Sequence, residues 1–359
     1  MRTPEISVVL PIKNNARYIF DAIESVLTQT FADFELLVID DGSTDATVAI
    51  ISEFQRSDTR IRVLKNPGAG LVDALNYGVT SASAGLIARM DADDCCQPTR
   101  FQRQYDFLND HPEVAVVGTQ VTFIDEHGAL VNDITTYPET PQAIDRMLLK
   151  RCCLGHPTVF FRREAFEAVG GYRNELVDAE DYDLWLRMAE HYALANLPER
   201  LVLYRRHSAQ VSEQRKWPQR LSRNLALAAT KERRRTGQDP IGAYHCFEKS
   251  VARQGCQGSG CAGCVCESVR VFSNAESILS EQSTALTRDD IRDMLRYLSR
   301  NTMGDGQRSR LLVLVALCRE AARRRAPVEL AAALGLALWS HPGRTVLWLA
   351  TGGEKSRAA

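Results

Sequence analysis

Three carboxylates fall within four residues at Asp91-Ala92-Asp93-Asp94, directly after an apolar run and shortly before Pro98. Like charges so close repel. A turn that keeps them is normally relieved by a hard divalent cation, and Mg²⁺ or Mn²⁺ characteristically bridges one or two carboxylates to substrate phosphates. A solvated acidic turn capping a helix that begins near Thr99 has the same composition, because aspartate is also a turn and cap residue. A second cluster, Asp40-Asp41-Gly42-Ser43, shifts the balance toward a nucleotide site. A carboxylate there can accept the imino proton of a base, and Gly42 allows close backbone approach.

These clusters need a scaffold that brings them together. Apolar runs of strand length at 6–10, 34–39, 61–64 and 86–90 alternate with helical spacing, the pattern of a parallel sheet covered by helices. Tyr18, Ile19, Ala22, Ile23, Val26 and Leu27 share one helical face, with Asn14 or Asn15 placed to cap its start, and 46–54 reads as a second helix. In such βαβ construction ligands bind beyond the carboxyl ends of the strands. Residues 11–14, 40–45 and 91–94 therefore reach one edge. From about Val114 the elements mix: a strand is expected at 157–162, helices at 164–169 and 181–190, and short strands at 193–197 and 201–205. Beyond about Ser222 the strand signal fades into a helical, patchily basic chain. The expected organisation is a catalytic domain over 1–222 and a mainly helical region over 223–359, with a Gly/Cys-rich loop at 255–266.

With 359 residues, 45% hydrophobic and 25% charged, the chain can build a core, and disorder or a fibrous protein is excluded. Lys+Arg 44 against Asp+Glu 45 gives a net charge of -1, so no global attraction for nucleic acid is expected. A strand-like run begins almost at once, leaving no visible secretion signal. Ten cysteines include the adjacent pairs Cys95-Cys96 and Cys152-Cys153, which fit a reducing cytoplasm better than a disulfide framework. Cys256, Cys261, Cys264 and Cys266 supply only one good zinc knuckle, so a loop is expected there. The apolar runs 311–317 and 330–339 are too short to span a membrane. With Arg319, Arg323, Arg324, Arg325, Trp339 and Trp348 they suit either a helical bundle or peripheral helices at a membrane interface.

Neither Gly-x-Gly-x-x-Gly after the first strand nor Gly-x-x-x-x-Gly-Lys-Ser/Thr occurs, which removes the Rossmann dehydrogenase and P-loop readings. Val8-Val9-Leu10-Pro11-Ile12-Lys13-Asn14, the segment from Ser25 to Phe31, Phe34 through Asp45, Ala88-Arg89-Met90-Asp91-Ala92-Asp93-Asp94, Gly170-Gly171-Tyr172 and Glu180 through Arg187 follow one another in order. Together they resemble family 2 glycosyltransferases over about Ile6 to Ser212. The resemblance implies a GT-A fold, a Rossmann-like mixed sheet flanked by helices, and inverting transfer of a sugar from a nucleotide-diphosphate sugar to an acceptor hydroxyl. It implies that Asp41 contacts the base, with Pro11, Lys13, Asn14, Asn76 and Asp91 also on the nucleotide. Asp91 and Asp93 match the Asp-x-Asp pair for Mn²⁺ or Mg²⁺, Asp93 being the main ligand, and His207 can join the metal shell. Asp181 resembles the general base, Glu180 its neighbour that raises its pKa by repulsion, and His156 lies on the acceptor side. Helix N-terminal charge is the structural alternative for Glu180 and Asp181.

Lys13 departs from the pattern, since many relatives carry an aromatic residue there; it is expected to meet the base or a phosphate. Gln214-Arg215-Lys216-Trp217 has the wrong spacing for a processive synthase, so one sugar per encounter is expected. The implied setting is cytoplasmic synthesis of a cell-surface polysaccharide or lipid-linked glycan, with a glycan or lipid-linked acceptor. The rivals are a sugar-phosphate nucleotidyltransferase, whose Gly-rich basic loop is missing, and a degenerate nucleotide-binding scaffold, disfavoured because Asp41, Asp93 and Asp181 are all present.

Overall fold

The computed structural model describes residues 2–133, 135–176, 178–208, 210, 216–239 and 241. The expected loop at 255–266 and the apolar runs from 311 lie outside the described residues.

Strands β1 (Ile6–Ile12), β2 (Phe34–Asp40), β3 (Ile61–Lys65) and β4 (Leu86–Arg89) form the parallel part of the sheet. Helices α1 (Ile19–Leu27), α2 (Thr47–Ser57) and α3 (Leu71–Thr80) connect them. The second half contributes β5 (Cys95–Cys96), α4 (Arg100–Asp110), β6 (Val114–Ile124), α5 (Pro141–Leu148), β7 (Phe160–Arg162), α6 (Arg163–Ala168), α7 (Glu180–Met188), β8 (Ala193–Arg205) and α8 (Lys216–Thr236). Among the described residues the strands make one mixed sheet in the order β3-β2-β1-β4-β7-β6-β8-β5. β7 runs antiparallel to both β4 and β6, while β8 is parallel to β6.

Both faces of the central strands are buried, which is why they read as continuous apolar runs. Successive side chains point to opposite faces. Val9, Leu37 and Ile39 pack with α3, α5 and α7 on one side, and Val8, Leu10, Leu36 and Val38 pack with α1, α2 and α4 on the other. The register that sets Ile12 beside Asp40 and Val9 beside Arg89 aligns the polar strand ends along one edge.

Three local expectations are corrected. Neither Asn14 nor Asn15 caps α1, whose N-cap is Tyr18. The Asn15 side chain accepts the Lys13 N–H at 2.8 Å, and the Asn14 side chain accepts the Thr44 N–H at 2.8 Å. Asparagine has several local hydrogen-bonding options, and the loop uses two others. The strand expected at 157–162 is shortened to Phe160–Arg162, because His156–Thr158 forms a 3-10 turn with Pro157 in its first residues. The two strands expected at 193–197 and 201–205 are one, β8, whose pairing with β6 slips between Thr119 and Gln120 so that Pro198 and Glu199 are absorbed in a bulge. α8 runs through position 222 and packs Ala226 and Leu227 into the core that holds α7.

Candidate active site

At the ends of β1 and β2 the Asp41 N–H donates to the Ile12 carbonyl at 3.0 Å. The Ser43 N–H donates to the Asp40 carboxylate at 2.9 Å, a tight turn that Gly42 allows with a φ of 80°. The Asp41 carboxylate receives Lys13 Nζ at 2.8 Å on one oxygen, and Asn66 Nδ2 at 2.7 Å and the Gly70 N–H at 2.9 Å on the other. Burial alone would raise its pKa; the Lys13, Gly70 and Asn66 donors outweigh burial and hold it below the ordinary value. Lys13 thus turns onto Asp41. Asn14 ties the β1 loop to the β2 loop through Thr44. Pro11 is buried within β1 opposite Ile39, where it sets the direction of the strand end.

The Asp-x-Asp cluster follows β4. Asp91 is ion-paired with Arg89, which is itself only 3% exposed. Asp93 Oδ2 is hydrogen-bonded to His207 Nε2 at 2.9 Å, and the Asp93 carbonyl accepts Arg205 Nε at 2.8 Å. Asp94 accepts the Arg205 N–H at 2.8 Å on one oxygen, while its Oδ2 is buried without a hydrogen-bond partner. One carboxylate oxygen from each of Asp91, Asp93 and Asp94 lies within 4.8 Å of the others. Burial and then repulsion from Asp91 raise the pKa of Asp93; burial and repulsion from Asp93 and Asp91 raise that of Asp94 well above its ordinary value. Crowded carboxylates with an orphaned oxygen form the all-oxygen donor set that suits Mg²⁺ or Mn²⁺, so the residues present fit such an ion.

Asp91, Asp93, Asp94 and His207 line a cleft of roughly 1110 Å³ that also takes in Glu180, Asp181 and His156. Gly70 belongs to the same wall and links it to Asp41. Glu180 and Asp181 open α7, so both the helix-end and the catalytic readings of the pair fit its place. The Tyr182 N–H donates to Asp181 at 2.7 Å. Burial, then the charge of Asp181, pushes Glu180 up to about 8. Asp181 is pushed up to about 6 by burial, opposed by the Tyr182 N–H and by Arg89. The repulsion expected to tune Asp181 acts on Glu180 as well, and the two buried carboxyls titrate as a pair. His156 Nε2 lies 2.9 Å from the Tyr172 hydroxyl, and burial followed by the Arg89 charge holds its pKa well below the usual value, so the ring is neutral. Asn76 is committed elsewhere than expected. Its amide donates to the Tyr172 carbonyl and accepts the Tyr172 N–H, both at 3.0 Å, which fixes the segment carrying Tyr172 against α3.

Sequence reasoning missed Arg89 and Arg205 as parts of the site, and placed Asp94 in the acidic turn without giving it a role of its own. A charged residue inside the apolar run before Asp91 was the available signal for Arg89. The raised pKa of Glu180 has a measurable consequence. Between its ordinary 4.5 and about 8 the folded chain holds a proton that the unfolded chain releases, so stability is full below the unfolded pKa and falls as pH rises through the folded one. Glu180→Gln is expected to melt higher than the native metal-free chain, by an amount that grows across this window to roughly 2–4 kcal/mol and is flat above it. A pH series of melting curves checks this; a gap that does not widen with pH would contradict it.

Residues 7–170 match the family model described as glycosyl transferase family 2. The chain is 33% identical over 207 residues to the O-antigen biosynthesis glycosyltransferase WbnJ of Escherichia coli, covering 56% of this chain and 80% of that protein. It is 32% identical over 197 residues to the amylovoran biosynthesis glycosyltransferase AmsE of Erwinia amylovora, covering 54% and 73%. A crystal structure of S. aureus TarS 1-349 in complex with UDP-GlcNAc superposes with a TM-score of 0.55 at 16% identity, over 94% of this chain and 92% of that one. That similarity establishes the GT-A fold. By its sequence relatives, and with this fold, the chain belongs to glycosyltransferase family 2.

Proposed function

We propose that the chain moves a sugar from a nucleotide-diphosphate sugar to an acceptor hydroxyl with inversion at the anomeric carbon. The observation that carries this is one cleft holding a cation-fitting aspartate cluster and, at the start of α7, two adjacent buried carboxyls whose pKa values are raised. Asp41, with Lys13 and the Gly70 loop, forms the base end of the donor site. Asp93, with Asp91, would hold Mn²⁺ or Mg²⁺, with His207 orienting Asp93 through its hydrogen bond. Bound there, the cation supplies positive charge to the departing diphosphate. Asp181 accepts the proton of the incoming hydroxyl, so the oxygen gains nucleophilic character as the sugar–phosphate bond breaks. Glu180, raised by burial and by Asp181, shares the titration of the pair. His156, neutral and braced by Tyr172 and Trp185, shapes the acceptor wall.

The named roles of WbnJ and AmsE support a place in cell-surface polysaccharide synthesis, with a glycan or lipid-linked acceptor. Among the described residues no helix is long and apolar enough to cross a membrane. A cytoplasmic site of action, a mainly helical region beyond residue 222 and peripheral membrane contact through the apolar runs from 311 belong to the same proposal. Incubation with UDP-, GDP- and dTDP-sugars, with and without Mn²⁺, tests the reaction. Release of nucleoside diphosphate on adding glycan acceptors, with an inverted anomeric product by NMR, is expected; a retained configuration would contradict the assignment of Asp181. Flotation with anionic vesicles at low salt tests the membrane contact, and a full-length chain that stays behind would refute it.

A further inference from the structure

Arg89 ends β4 with its side chain 3% exposed, yet it lines the cleft. Its backbone is pinned: the N–H donates to the Val159 carbonyl at 3.0 Å and the carbonyl accepts Arg100 Nη2 at 2.9 Å. Its guanidinium pairs with Asp91 through Nη1, while Nε is buried without a hydrogen bond. Such groups are normally satisfied in a folded protein, and an incompletely satisfied buried cation is costly for the fold. Arginine keeps its charge even when desolvated, so this position delivers a permanent positive charge to the floor of the cleft.

The groups facing Asp181 show where that charge acts. Arg89 and Asp91 from the end of β4, Glu180 from the start of α7, and Cys152 and Tyr137 from the other wall line the cleft with Asp181, and Tyr172 and Tyr182 feel its charge. Asp178 adds a further carboxylate beside Glu180. The other arginine that lines the cleft among the described residues, Arg206, is paired with Asp133, and Arg151 and Arg223 act on Tyr137 and Tyr182. Arg89 opposes the effect of burial on both Glu180 and Asp181 and disfavours a proton on His156.

We propose that Arg89 is a positioning residue that anchors Asp91 on the donor side and presents its buried positive charge to the cleft that Asp181 lines on the acceptor side. It touches neither reacting atom and acts through the two carboxylates. One buried guanidinium thus ties the electrostatics of the aspartate cluster to those of the base, a role separate from packing. The inference rests on Asp181 being the base.

The test reads the carboxylates directly, in the full chain without metal or nucleotide, by ¹³C NMR of labelled aspartate and glutamate side chains. Glu180→Gln and Asp181→Asn assign the signals. The pair titrates in two steps. In the native chain the lower midpoint is expected near 6. Arg89→Met is expected to raise it by about one unit or more, a roughly tenfold tighter hold on the proton. Arg89→Gln, which keeps a donor for Asp91 but no charge, must show the same rise, and it carries the test if the methionine variant does not fold. An unchanged midpoint in a folded neutral variant would overturn the proposal, since loss of packing alone does not move it in this direction. Because no substrate is present, the failures separate: an Asp181→Asn chain that transfers normally removes the base assignment, whereas an immobile midpoint removes only the role of Arg89.

Discussion

Asp181→Asn is expected to bind donor as the native chain does and to transfer sugar roughly 10²–10⁴-fold more slowly, the usual effect of removing a general base. The amide is nearly isosteric with the carboxylate and accepts the Tyr182 N–H that now reaches Asp181, so the start of α7 should keep its shape. The loss should therefore appear in kcat and leave donor affinity alone. The pH profile adds a second reading. A base must be ionised to accept a proton, so the native rate should rise with pH up to the Asp181 midpoint near 6 and level above it. That acid limb should be absent from the residual activity of Asp181→Asn. Weakened donor binding with unchanged turnover of the bound complex would place Asp181 on the wrong side of the site.

Asp93→Ala should do the opposite. Asp93 is the member of the cluster that His207 holds in place and whose proton affinity is raised by burial and by Asp91. Removing it takes away the main oxygen ligand for the cation and should cost nucleoside diphosphate affinity at least about tenfold in Mn²⁺, near 1.4 kcal/mol. In chelator the variant and the native chain should bind equally weakly. Metal-free stability should hold or improve, because a crowded carboxylate has gone. Calorimetric titration with UDP and GDP, with and without Mn²⁺, measures all of these; a variant whose Mn²⁺ dependence matches the native chain would remove Asp93 as the ligand.

Much of the placement of the acidic residues was legible in the sequence. Parallel strands covered on both faces appear as unbroken apolar runs, and polar residues that interrupt such runs at their carboxyl ends necessarily share one edge. Asp41, Asp91 and Asp93 could be placed for that reason. Long-range pairing was not legible in the same way. Lys13 meets Asp41 because β1 and β2 lie in register, and the order of the sheet beyond β4 depends on β7 entering antiparallel. Arg89 reads locally as a misplaced charge in a strand, and its meaning comes from α7, far along the chain. Asn76 illustrates the reverse case: a polar residue near the nucleotide motifs is spent on holding Tyr172. The burial that raises the pKa values of both Glu180 and Asp181 comes from the fold, which two adjacent acidic letters do not reveal.

The central claim is that this cleft binds a nucleoside diphosphate through a divalent cation held by Asp93. Titration calorimetry of the full chain with UDP, GDP, dTDP and CMP, each with Mn²⁺ and again after chelation, tests it most directly. At least one diphosphate should bind in Mn²⁺ and release on chelation, with CMP weaker for lack of the second phosphate. Binding that is indifferent to chelation, or none to any nucleotide in Mn²⁺, would contradict it.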